Sequence, residues 1–523
     1  QGLTEITVSI EESRMQLGAE NNGLYPLYWS EGDQISVNGL PSNVLTKEEA
    51  GKASATFFVG SEDIQTYHIA YPAAAENQVL FAENQVHLNN TTFGSGVSTM
   101  YGKGAVGEAI QMHHLTGVLK IGVTGSALLT HAQISTIDRA PIAGAFAFDF
   151  EKEELSATDA SKDVINYSFG DGVALKGDAT YIHVAVPAGI YDELYVTLYD
   201  KAGGVMYATV QAGKDNKPLS AGKVRTFDKD TAYEAKNNVK YFVISNVATL
   251  KEFATKAAEG LAMDALLVAD IDLAGEAWTS IEGGGFVGTV LGNGYSIKGL
   301  TAPLFGRVFC SIKGLHLRDV NIEETAGSAV GALARHITAN VYSTIQKDDT
   351  NPVVEHCSVS GKVVLNNQTA FVDTSLNDFG ECVAAGLVGR AYGACFYDCV
   401  NYATVEVKQC FPAGHTTALH PGVGGIVGYL NHTTHTVDGT STKVTSHLNN
   451  LVNYGDIIFT DRSYTGETNV KTYAPLKPKV GGVVGYANRD NMPCEMHYIT
   501  NHGDITVSGV FGIDVFISGT FGH

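Results

Sequence analysis

Charge is scarce in this chain. Only 17% of the 523 residues are Asp, Glu, Lys or Arg, against about 25% in ordinary soluble domains. The few present are unbalanced, 34 Lys plus Arg against 55 Asp plus Glu, a net −21. No Lys/Arg cluster exists that could neutralise a run of phosphates, so nucleic acid is excluded as a partner. An anionic lipid surface is disfavoured for the same reason. No apolar stretch approaches the length of a transmembrane helix. Helical periodicity is almost missing. Cysteines number seven, namely Cys310, Cys357, Cys382, Cys395, Cys399, Cys410 and Cys494, with no Cys-x-x-Cys pair. The short-spaced ligand pairs of a zinc site are therefore lacking. These thiols read as buried small hydrophobes, with a disulfide framework as the lesser alternative. The chain opens on Gln1 without Met or an apolar leader, as expected when an export leader has been removed.

What is abundant is Gly, 58 residues, together with Thr, Val and Asn. That composition specifies strands joined by tight turns, and the length predicts more than one domain. Short strands are predicted at Leu3–Ile10, Gln34–Val37, Gln65–Ile69, Gly117–Val123, Tyr181–Val186 and Val205–Val210. Ile182, Val184 and Val186 share one face, as do Leu194, Val196 and Leu198. Lys201-Ala202-Gly203-Gly204 is a hairpin turn. The fold class expected is mainly β, with antiparallel β-sandwiches over 1–112 and 113–235. Asp228–Lys240 reads as a polar linker. A right-handed parallel β-helix follows over 240–523, with one helix at its start. Thr249-Leu250-Lys251-Glu252 fits a capping box with Thr249 as N-cap, Leu250, Phe253, Ala254, Ala257 and Ala258 follow at helical spacing, and Gly260 stops the helix. Its expected task is to cover the open end of the solenoid.

Four segments of the N-terminal half carry a family likeness. They are Trp29-Ser30-Glu31-Gly32-Asp33-Gln34-Ile35-Ser36-Val37, Tyr67-His68-Ile69-Ala70-Tyr71-Pro72, Met112-His113-His114-Leu115 and Leu219-Ser220-Ala221-Gly222-Lys223-Val224-Arg225-Thr226-Phe227. In this order they resemble fimbrillin-like proteins of Gram-negative anaerobes. Read physically, Trp29 fills a core and Gly32-Asp33 turns the chain. His113 and His114 point to opposite faces of a strand and so do not share a metal ion.

The C-terminal half repeats itself. Val423-Gly424-Gly425-Ile426-Val427-Gly428-Tyr429-Leu430 matches Val480-Gly481-Gly482-Val483-Val484-Gly485-Tyr486-Ala487, with further copies at Ala385–Arg390 and Gly331–Arg335. A second element recurs at Cys357–Gly361, Cys399–Ala403, Leu451–Ile457 and Ile499–Ile505. The strands repeat while the intervals vary, which fits a solenoid with inserted loops; a propeller is the alternative on period alone. Glycines are expected to let the backbone bend at the corners. These copies resemble the G-L-x-G (GLUG) repeats of bacterial surface adhesins, and that resemblance implies the β-helix.

Asn401, Asn453 and Asn501 fall at equivalent positions and predict a ladder of amide hydrogen bonds between rungs about 4.8 Å apart. Asp456 and Asp504 also coincide, but in a turn sequence and without a partner acid or base in register. No catalytic, cofactor-binding or metal residue is assigned, and no cofactor is expected. The loops Asn431–Leu448 and Asp461–Lys479, with Tyr464 and Tyr473, are the expected recognition surface. The two resemblances together imply an exported, non-catalytic adhesin or fimbria-associated protein. Its expected place is the outer membrane surface, anchored as a lipoprotein through a Cys that this sequence does not contain. Its expected partners are a glycan or host-surface protein and other fimbrial subunits. A β-helical polysaccharide hydrolase or lyase is one alternative, and a structural fimbrial subunit is another. In the latter, cleavage near Arg14 frees the site of the first strand for a neighbour's strand.

Overall fold

The computed structural model describes residues 2–11, 27–60, 64–94, 96–212, 218–227, 234–235, 241–282, 286, 288–339, 351–369, 382–410, 420–437, 440–444, 446–461, 477–487, 494–509 and 516–521. It is nearly all β, with antiparallel sheets in the N-terminal part and a parallel stack in the C-terminal part. Contacts divide the chain into Gln1–Lys240 and Tyr241–His523. Arg14, Tyr464 and Tyr473, and most of the linker Asp228–Lys240, lie outside the described residues.

The N-terminal unit begins with Thr4–Ile10, which alternates buried Ile6, Val8 and Ile10 with more exposed residues. That strand lies inside a seven-stranded sheet, antiparallel to Ser54–Val59 and parallel to Ile110–His114. Trp29 is buried against Phe57 and Tyr71 in edge contacts with ring centroids 5.1 and 5.2 Å apart. Gly32 at φ +92° makes the turn, and Asp33 fixes it by accepting from the Ser30 N–H and the Tyr71 hydroxyl. Thr116–Gly125 is buried on both faces: Val118 faces the Trp29 core, and Leu119, Ile121 and Val123 face a second core. Strands on either side of residue 112 also pair with one another. Gln78–Phe81 joins Ala143–Asp149, and Asn84–Val86 joins Val164–Ala174. The hairpin Tyr191–Asp200/Val205–Ala212 turns at Gly203, φ +81°, where Asp200 accepts from the Ala202 and Gly204 N–H groups.

In the C-terminal unit every strand pair from Phe242 onward is parallel, except the inserted hairpin Thr433–Val437/Thr440–Val444. Continuous parallel ladders exclude a propeller. One sixteen-stranded sheet and two five-stranded sheets make up the stack. The register reproduces the repeat read from sequence: Val359 pairs with Asn401, Asn401 with Asn453 and Asn453 with Asn501. Leu317, Val359, Val363, Val405, Leu451 and Ile457 point into one continuous core.

The helix spans Val247–Ala258. Its capping box is one turn earlier than the sequence suggests. Asn246 is the N-cap, accepting from the Thr249 N–H, while the Thr249 hydroxyl answers the Asn246 N–H. Asn satisfies the same need as Thr at an N-cap, and Thr249 serves as the third helical residue. Gly260 follows the helix at φ +97°. Leu250, Phe253 and Ala257 are buried. Phe253 meets Phe242, Phe286 and Phe305 of the first coils, so the helix closes that end of the core.

The N-terminal unit also carries a pH liability. His183 is buried, cross-strand from Lys120. Burial, then the Lys120 charge and His87, push its pKa down from 6.5 to about 4. As pH falls from about 6.5 to about 4, the unfolded chain takes up a proton that the native chain refuses, so stability drops across that window and levels off below it. The unit is predicted to lose about 2–3 kcal/mol between pH 7 and pH 4 from this residue. Urea unfolding of the full chain, followed by Trp29 fluorescence in a Trp278→Phe background, measures the loss, and His183→Gln should flatten the slope.

Candidate functional site

The asparagine that opens each of the turns Asn401-Tyr402-Ala403, Asn453-Tyr454-Gly455 and Asn501-His502-Gly503 decides what the inside of the solenoid looks like. Asn401, Asn453 and Asn501 point inward. The Asn401 side-chain N–H donates to Asn453 Oδ1 at 2.7 Å, and that of Asn453 to Asn501 Oδ1 at 2.7 Å. Each amide also donates to the carbonyl two residues ahead, Ala403, Gly455 or Gly503. Asn401 and Asn453 are wholly buried. This column is structural, not a presented polar surface.

The glycines of the first element have a different role from the one expected. Gly386, Gly425 and Gly482 do not have positive φ; their need is space. A Cβ at Gly386 would overlap Asn401 Oδ1 and lie 2.4 Å from the Gly425 carbonyl oxygen, one at Gly425 would lie 2.4 Å from the Gly482 carbonyl oxygen and 2.5 Å from Asn453 Cγ, and one at Gly482 would overlap the Gly519 carbonyl oxygen and Asn501. A Cβ at Gly455 or Gly503 would likewise strike a carbonyl of the preceding coil. Close approach, not corner bending, selects glycine at these positions.

Strand alternation turns the next residue outward. Tyr402, Tyr454 and His502 form a stacked column, with Tyr402–Tyr454 centroids 5.2 Å apart at 4° and Tyr454–His502 centroids 4.8 Å apart at 12°. Tyr402 is 55% exposed and Tyr454 49%. Tyr498, 79% exposed at φ +54°, stands four residues before His502. The sequence held this column in plain view, one residue after each repeated Asn, although the aromatic readings had been placed in the loops. By contrast, Arg390 and Tyr429, in register on the outer face of a five-stranded sheet, are buried.

Among the described strands the sequence intervals vary most between the same two pairs of strand positions: 367–382, 410–421, 460–478 and 508–515 in one, and 339–352, 432–445 and 488–493 in the other. The described part of Asn431–Leu448 is the hydroxyl-rich hairpin, in which Thr434, His435 and Thr436 oppose Lys443, Thr442 and Ser441.

The remaining candidates are held by ordinary partners. Asp456 Oδ1 accepts from the Asp504 N–H at 3.1 Å, and both carboxylates are exposed; the coil before them offers Thr404 at that register. Cys357 and Cys399 stack on adjacent coils, donating to the Glu355 and Tyr397 carbonyls. Burial, before any charge effect, holds the Cys399 and Cys410 thiols well above their ordinary range and Cys494 at about 12. Nucleophilic thiolate is thereby suppressed. His113 pairs with Glu11 at 3.1 Å on the exposed face, whereas His114 is buried against Ser98. One mixed cluster exists among the described residues, Glu355, His356 and Asp398. Its carboxylates are engaged by Lys313 at 3.0 Å and by the Asn450 amide at 2.7 Å, so it reads as an ion-pair ladder along the turn.

No family model matches the chain, and no curated protein matches it. Solved structures overlap it weakly. A candidate immunoglobulin A1 protease from Bacteroides ovatus is 14% identical with a TM-score of 0.34, over 54% of this chain and 84% of that one. A candidate cell adhesion protein from Bacteroides uniformis is 14% identical with a TM-score of 0.26, over 44% of this chain and 96% of that one. A fimbrial protein from Bacteroides ovatus is 10% identical with a TM-score of 0.21, over 45% and 50%. Likenesses this weak carry no argument about function.

The asparagine column makes a direct prediction. Asn453→Ala strips a partner from both Asn401 and Asn501 within a dry core. Unsatisfied buried polar groups cost about 1–3 kcal/mol each, so the C-terminal unit should lose about 3 kcal/mol or more. Urea unfolding of the full chain followed at Trp278, which belongs to that unit's core, measures it.

Proposed function

We propose that the protein is an exported, cell-surface adhesin or fimbria-associated protein. In this reading it is non-catalytic, and its C-terminal unit binds a glycan or a host-surface protein. The observation that carries the reading is the half-exposed column Tyr402–Tyr454–His502 on a rigid stack whose sequence intervals vary most between the same two pairs of strand positions. Aromatic side chains exposed on an ordered element lose little conformational freedom on binding, and they suit recognition. Evenly spaced coils also let several weak contacts add on a repetitive target. The net −21 disfavours acidic glycans. Anchoring as a lipoprotein in the outer membrane, and contacts with other fimbrial subunits, belong to the same proposal and rest on the motif resemblances of the N-terminal half.

The expected outcome is that adhesion of the full chain to mucus, epithelial cells or glycan-coated surfaces is competed by the unit 241–523 and not by the unit 1–240. Competition by the N-terminal unit alone would reduce the solenoid to a spacer and defeat the reading.

A further inference from the structure

The outward column has an abrupt end. Tyr402 stacks on Tyr454 through one face, and among the described residues no other ring lies against it. Toward the start of the solenoid the register runs Ser358–Val400 and Val359–Asn401, which puts Ser360 at the position below Tyr402. Where three coils present a ring, the fourth presents a hydroxymethyl group followed by Gly361, exposed at φ +112°. The result is a gap one coil high, roofed by a bare tyrosine face.

The walls of that gap are polar. Ser360 Oγ accepts from the Asp319 N–H at 3.2 Å. Asp319, at φ +49°, projects its exposed carboxylate toward Lys298, with Nζ 3.8 Å away, and Lys298 also lies 3.6 Å from Asp272. The Ser360 hydroxyl therefore lies one coil below the aromatic face, and Asp319 and Lys298 follow on the next two coils. Aromatic faces are electron-rich and attract polarised C–H groups, and the neighbouring groups can donate to and accept from hydroxyls. A prolyl ring would find the same face but would leave these polar groups unmatched. An acidic sugar would meet Asp319 and the negative field of the chain.

We propose that Tyr402, Ser360 and Asp319 form a binding site for one neutral pyranose ring of a polysaccharide, stacked on Tyr402 as the next member of the column. This site rests on the surface-binding reading above and narrows its ligand to a neutral sugar. Tyr402 supplies the stacking face, Ser360 the small floor with its hydroxyl, and Asp319 the polar group on the coil beneath.

The test uses the intact chain and titration calorimetry with neutral oligosaccharides prepared from mannan, galactan and β-glucan. Two variants probe the site: Tyr402→Ala removes the platform, and Ser360→Tyr fills the gap with a further ring. The expected result is binding of at least one oligosaccharide, weakened about tenfold or more in both variants, with melting temperatures of Ser360→Tyr and the unaltered chain alike. Sugar binding that survives both variants would overturn the site while leaving the adhesin reading intact. If no neutral sugar binds but a host-surface protein does, and Tyr402→Ala abolishes that contact, the platform serves a protein and the sugar proposal fails. If the intact chain binds neither, both readings fail together.

Discussion

The C-terminal unit depends on one reciprocal fit. A buried asparagine amide on each of the last coils hydrogen-bonds the next, and a glycine on the facing corner leaves the room it needs. Neither half works alone. An amide without its neighbours would be a costly buried polar group, and a side chain in place of the glycine would strike the amide as well as the carbonyl of the next coil. The earlier coil shows the converse. There Val359 occupies the asparagine register, and the corner position hydrogen-bonded to Gly386 is Ala332.

Strict stacking at the inside has consequences outside. Because the inner columns cannot drift, the residue after each asparagine is also held in line, and Tyr402, Tyr454 and His502 stack with little relative tilt. Sequence length varies between the same pairs of strands, and the strands on either side keep their register. The helix Val247–Ala258 closes the first coils with Phe253, so core side chains at that end are shielded from water and from foreign strands. Stability, spacing and surface display thus come from the same columns.

Much of this was legible in the sequence for a physical reason. In-register parallel coils require equivalent residues at equivalent positions, and the Val359, Asn401, Asn453 and Asn501 alignment is the register itself. The opposite facing of His113 and His114 and the burial of Trp29 likewise follow from local rules. What was missed depends on contacts between distant segments. The crowding at Gly425 comes from the Gly482 carbonyl and from Asn453, both distant in sequence, and cannot be told locally from a bend. Asn246 and Thr249 are both competent caps, and the choice is made by where Val247 and Leu250 meet the core. The column Tyr402–Tyr454–His502 is a contact between coils that no single turn sequence announces. The pairing of Gln78–Phe81 and Asn84–Val86 with later strands crosses residue 112 through non-local contacts that no motif announces.

The interlocking of asparagine and glycine is most directly tested by a double-mutant cycle that copies the Ala332–Val359 arrangement into the next coil. Gly386→Ala, Asn401→Val and the pair would each be unfolded in urea in the full chain, with Trp278 as the reporter. If the two positions are one device, the pair is less destabilising than the sum of the single changes by more than about 1 kcal/mol. Additivity to within about 0.5 kcal/mol would show that the glycine and the amide act independently, and would contradict the account.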